Sequence, residues 1–193
     1  MTDKKHSQQG FALLMALIVV GSVLSIGVVI LDLSVKQVRL ATTTKDSEIA
    51  FHAANAGMEC ARFWRRDQNE QMTTGAITDP IECFGTSYGP VTAAVADVDD
   101  VDDGAGYVYE YDITWASGER CTSITTVVAV GEPGGDGVVV IDMETFIPGY
   151  PGGDQLTCDE FSQCTVVAVQ GYNQPCSRKA SFGTIEREVL LEF

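Results

Sequence analysis

Residues 11–31 read FALLMALIVVGSVLSIGVVIL, twenty-one positions without a charge or a proline. A helix rises about 1.5 Å per residue, so this run predicts a rod of about 30 Å, the thickness of a bilayer's hydrocarbon core. A helix buried in a globular core carries a polar face on its outer side. Here the polar side chains are Ser22 and Ser25, whose hydroxyls can bond back to helix carbonyls. The segment predicts a single membrane span.

The flanks say what kind of span it is. The preceding MTDKKHSQQG holds Lys4 and Lys5, which keep that end in the cytoplasm by the positive-inside rule. A secretory signal has a shorter apolar region followed by a small-residue cleavage site. Here the small residue at the junction is Gly10, ahead of the apolar run. Cleavage there removes residues 1–10 as a leader and leaves the whole hydrophobic helix on the mature chain.

The helical signal continues past the span. Over residues 32–70 there is no proline and one glycine, Gly57. Val35, Val38, Ile49, Ala53, Ala56 or Gly57, Cys60 and Phe63 or Trp64 fall near a helical spacing and predict one apolar stripe. Three β-branched residues in a row, Thr42 to Thr44, mark the weakest stretch. Unbroken from Phe11 to Asn69, such a helix would extend about 90 Å.

A leader with lysines, Gly10 directly before Phe11, and a long helix that is first apolar and then amphipathic resemble type IV prepilins and pseudopilins. The stretch Ala50-Phe-His-Ala-Ala-Asn-Ala-Gly57 is similar to the alanine-rich helix of PilX-like minor pilins and of the K-type pseudopilin of type II secretion. The resemblance covers residues 4–66. It implies a membrane prepilin peptidase that cuts between Gly10 and Phe11 and methylates the new Phe11 amine. It also implies other pilin or pseudopilin subunits and membrane lipid as partners. The expected place is the cytoplasmic membrane, crossed once with the N-terminus inside, and then a periplasmic or extracellular filament. Most of these proteins carry glutamate at the fifth mature position, where this chain has Met15. That departure points to a minor subunit, at the tip or in initiation.

Residues 76–193 change character, with short apolar runs between Gly, Pro and Asp clusters. Tyr107–Trp115 alternates, placing Tyr107, Tyr109, Tyr111, Ile113 and Trp115 on one face. Further strands are predicted at 123–130, 138–146, 164–170 and 184–193. Four or five strands against the amphipathic half of the long helix make an α+β, pilin-like head with a small antiparallel sheet.

Cys60, Cys83, Cys121, Cys158, Cys164 and Cys176 form no CxxC pair and lie far from His6 and His52. An even count behind a membrane-targeting segment predicts disulfides in an oxidising compartment. Fifteen pairings are open; Cys60 with Cys83 is preferred, because it would tie the helix end to the next domain. Asp97, Asp99, Asp100, Asp102 and Asp103 crowd five carboxylates ahead of Gly104. This reads first as a solvated acidic loop and second as a Ca²⁺ site, since a hard cation bridges such carboxylates. Val101 and the missing glutamate depart from the EF-hand pattern.

Lys and Arg number 12 against 27 Asp and Glu, a net charge of -15. Such a surface repels nucleic acid. The glycine-rich loops at 131–137 and 148–154 lack the lysine of a phosphate-binding loop, and no catalytic constellation stands out. The sequence reads as a non-enzymatic filament subunit. Its alternative is an anchored surface protein whose acidic head binds Ca²⁺ or a partner.

Overall fold

The computed structural model describes residues 6–99, 104–135 and 137–193. The chain divides into two units, one ending at Lys45 and one running from Asp46 to Phe193. Helix α1 spans His6–Asp67 and contributes to both.

In the first unit α1 stands without tertiary packing. Fifteen large apolar side chains between Phe11 and Leu31 are about half to two-thirds exposed. The Ser22 hydroxyl donates to the Val19 carbonyl at 2.8 Å, and Ser25 to Ser22 at 2.8 Å. The threonine run does not break the helix. Thr43 donates to the Arg39 carbonyl at 3.0 Å and Thr44 to Leu40 at 2.9 Å, so each hydroxyl is satisfied within the turn below.

The second unit is a five-stranded antiparallel sheet in the order β3-β4-β5-β8-β9. Its strands are β3 (Ala94–Ala96), β4 (Gly104–Trp115), β5 (Arg120–Gly131), β8 (Gln163–Tyr172) and β9 (Glu186–Glu192). The last part of α1 covers one face. Its buried residues are Ala50, Ala53, Ala54, Gly57, Met58, Cys60, Ala61, Trp64 and Arg65, which recur at helical spacing, and Gln68 follows just past its end. The predicted stripe holds in this unit at Ala53, Gly57, Cys60 and Trp64, and it is widened by Ala50, Ala54, Met58 and Ala61. Val35 and Val38 are exposed because they lie in the first unit, outside the part of α1 that packs on the sheet, and of Phe63 or Trp64 it is Trp64 that is buried.

That approach is close. Gly171 of β8 faces the Ala50 carbonyl and the Ala54 amide, and a Cβ there would overlap both. Gly57 presses on Thr122 and Val169 in the same way. The Thr122 hydroxyl donates to the Ala53 carbonyl at 3.1 Å and accepts the Trp115 indole N–H at 2.7 Å. The alanine-rich stretch is therefore the helix's contact with its own sheet.

Helix α1 stops at Asp67; α2 (Asn69–Thr74) follows, ended by Gly75 at φ 70°. The predicted continuous helix over 32–70 thus has a break at Gln68. The Tyr109 hydroxyl lies 3.1 Å from both the Gln71 and the Ala76 carbonyls, and fastens this junction to β4.

The other sheet face is covered too. A hairpin of β6 (Val138–Ile141) and β7 (Gln155–Cys158), with α3 (Met143–Phe146) between them, lays Val138, Val140, Met143, Ile147 and Leu156 over Val108, Val127, Ala129, Val166 and Ala168. The strand expected over 138–146 is therefore half strand and half helix, separated by Asp142 at φ 59°. Burial on both faces explains why β5 and β8 each carry a Thr-Val-Val-Ala-Val run. The two runs pair antiparallel, Val127 opposite Val166.

A further hairpin, β1 (Ile81–Cys83) with β2 (Thr86–Tyr88), turns through Phe84 and Gly85 at φ 55° and 75°. Positive φ at both central positions is the hairpin-favouring turn, with phenylalanine in a place that usually takes Asn or Gly. The Phe84 ring lies against Trp115, centroids 4.1 Å apart and planes tilted by 45°.

Candidate functional site

Gly10 lies within α1, and Phe11 opens the exposed apolar run at 65% exposure. Met15, half-exposed, sits one turn further on. Nothing else in the described residues packs on this stretch. Asp32, just past the run, pairs with Lys36 at 2.8 Å on the exposed helix surface. A charge pair therefore closes the apolar segment at the end away from Phe11.

The six cysteines form three disulfides: Cys60–Cys83, Cys121–Cys176 and Cys158–Cys164. The first joins α1 to β1 and the second joins β5 to the turn after β8. The third joins β7 to β8 across a separation of six residues. Asp112 lies near Cys121 and Cys176, but those sulfurs are bonded to each other, and the carboxylate pairs with Lys179 at 3.0 Å. That group holds no free thiolate for a metal.

Of the five aspartates considered for Ca²⁺, Asp100, Asp102 and Asp103 lie outside the described residues. Asp97 and Asp99 flank a bridge between Val98 and Val140. The Asp99 carboxylate accepts the Val139 amide at 3.0 Å, and its own amide donates to the Val139 carbonyl at 3.0 Å. Asp99 is thus already occupied with the β6 edge. His52 is exposed on α1, 3.7 Å from Glu48.

The chemistry that sequence reasoning passed over lies at the end of α1. Arg62, Arg65 and Arg66 line a pocket of 640 Å³ with Asn69, Gln163, Thr165, Leu191 and Phe193. Arg65 is 5% exposed; its Nε donates to the Thr165 hydroxyl at 3.0 Å and its Nη1 to the Asn69 carboxamide oxygen. Burial holds its pKa below the usual arginine value, partly offset by Tyr109. The signal was present in the sequence, as three arginines among the five residues 62–66 of a strongly acidic chain.

Beside it, Trp64 and Tyr111 meet edge to face at 5.1 Å, and the Trp64 Nε1 and Tyr111 hydroxyl are buried without a hydrogen-bond partner. Burial raises the Tyr111 pKa. Burial first, and then the neighbouring Tyr107, pushes Tyr109 up to about 12 against the pull of Arg65. Tyrosine titrates near 10 when unfolded, so the fold favours the neutral phenols. Their contribution is fully present below pH ~10 and is lost as pH rises through the folded values. The head is therefore expected to hold its melting temperature up to pH ~10 and to lose it steeply toward 12. A melting temperature unchanged across that window, read by tryptophan fluorescence, would contradict the assignment of buried phenols.

Comparison with protein-family models, with curated proteins and with solved structures finds no match to this chain. The functional reading rests on its own residues.

Proposed function

We propose that this chain is a non-enzymatic minor subunit of a type IV pilus or of a type II secretion-like pseudopilus, anchored in the cytoplasmic membrane before assembly. The observation that carries the reading is the bare apolar segment Phe11–Leu31 in a chain whose other unit has its own closed core. Large apolar side chains gain about 1.5–3 kcal/mol each on leaving water. Fifteen of them on one helix call for lipid or other helices. The serine hydroxyls bonded back within the helix leave that segment no polar demand on its surroundings. The α+β head, with a helix laid on an antiparallel sheet, agrees with the pilin-like arrangement that the N-terminal motif implies.

Met15 refines the proposal. With no carboxylate at the fifth mature position, this chain leaves a neighbour's N-terminal amine uncompensated in a low-dielectric filament core. An unpaired buried charge costs several kcal/mol, so the subunit belongs at the tip or in an initiation complex.

The test is the N-terminus of the protein recovered from membranes and filaments. The mature chain should begin at a methylated Phe11, Gly10→Val should block processing, and the subunit should be scarce beside a glutamate-bearing shaft subunit. Protein that keeps residues 1–10 and is recovered from membranes but from no filament would refute the filament reading and favour a simple anchored binding protein.

A further inference from the structure

The pocket at the end of α1 has a charge imbalance that the rest of the head does not explain. Residues 46–193 carry seven of the twelve lysines and arginines, and three of those seven line this one cavity. Acidic side chains outnumber basic ones throughout, yet no described side-chain carboxylate pairs with Arg65 or Arg66. The neighbouring carboxylates are engaged elsewhere. Asp67 accepts from the Gln68 carboxamide at 2.9 Å, and Glu192 accepts from the Tyr150 hydroxyl at 3.2 Å. Glu59 reaches Arg62 at 3.4 Å, on the exposed side of the helix.

Burying a guanidinium without a counter-charge is costly, and its charge is retained because arginine does not release its proton. Thr165 and Asn69 take only two of the five N–H donors of Arg65. These two contacts also fix the plane of the fork, so it is pre-organised for a planar or tetrahedral oxyanion, which arginine binds in bidentate fashion. Arg62 and Arg66 flank it, and Asn69 and Gln163 supply neutral hydrogen-bonding groups. Leu191 and Phe193 give the far wall an apolar surface.

We propose that this pocket is a binding site for a small organic oxyanion, a carboxylate or phosphate monoester with a short apolar body. Arg65 grips the oxygens, Arg62 and Arg66 supply the remaining charge, and the apolar part lies over Leu191 and Phe193. The volume suits a ligand of this size. The site does not depend on the filament reading, since every residue in it belongs to the second unit.

Isothermal titration of the full chain in a non-ionic detergent tests it, with phenyl phosphate, benzoate and benzamide as probes at fixed ionic strength. The two anions should bind and the neutral, isosteric benzamide should not. Arg65→Met should abolish binding. Because that variant also removes buried hydrogen bonds, the exposed pair Arg62→Gln with Arg66→Gln is the second probe. It should weaken the anions at least tenfold, about 1.4 kcal/mol, at unchanged melting temperature. Binding left intact in that double variant, equal binding of benzamide, or no heat from either anion at ~10 mM would overturn the proposal. An acidic peptide that binds with Arg65 dependence while both small anions fail would also overturn it, in favour of a protein partner.

Discussion

Gly171→Val is expected to dissolve the packing between helix and sheet. A Cβ at this position meets the Ala50 carbonyl oxygen and the backbone of Ala54. These are main-chain atoms of a helix, so no rotamer change relieves the overlap; α1 must lift or β8 must bend. Overpacking in a core costs about 1–3 kcal/mol where side chains can shift, and more where they cannot. We expect at least ~3 kcal/mol here, a fall of roughly 10 °C for a chain of this size. Gly57→Val should cost less, since its obstruction is the Thr122 and Val169 side chains. Gly89→Ala, with nothing within 4 Å, is the control and should stay within about 0.5 kcal/mol. Both tryptophans, Trp64 and Trp115, lie in the second unit, so their fluorescence follows that unit alone. If Gly171→Val melts with the parent, the helix does not sit on the sheet as described.

Removing Cys121–Cys176 should destabilise the head about twice as much as removing Cys158–Cys164. The first closes 55 residues and the second only 6. In the chain-entropy account, such loops are worth about 4 and about 2 kcal/mol. The longer bridge also holds β5, the central strand, to the turn that starts the return toward β9. Paired alanine replacements, compared by urea denaturation, measure this order. A shorter loop that matters more than the longer one would show that native-state strain, not unfolded-state entropy, governs these bridges.

The long helix, the alternating strand at Tyr107–Trp115 and the antiparallel sheet were legible because their periodicities are strong and uninterrupted. The second layer was not. Val138–Phe146 reads as a single apolar run, and nothing in its pattern announces that Asp142 takes a left-handed conformation and divides it. The β1–β2 hairpin was missed because Phe84 stands where turn chemistry expects Asn or Gly; its tilted contact with the Trp115 ring is a tertiary compensation that sequence spacing does not carry. The stripe on α1 was legible at Ala53, Gly57, Cys60 and Trp64, but Ala50, Ala54 and Ala61 were left out of it, because apolar size was weighed above smallness. The face that packs is the one where Ala50, Ala54 and Gly57 admit a sheet backbone. The arginine pocket escaped for a related reason. Arg65 looks like one of three solvated charges until the sheet supplies Thr165 beneath it.

The sheet ends on two strands that differ in how they discourage company. Strand β3 is only three residues long, and β9 carries Glu186, Arg187, Glu188 and Glu192 along a seven-residue edge. A free edge of unpaired amides and carbonyls recruits further strands unless it is short or charged. Here both devices are used, one on each side. A head of this kind can be concentrated in solution without its sheet extending, molecule upon molecule, into a runaway β-stack.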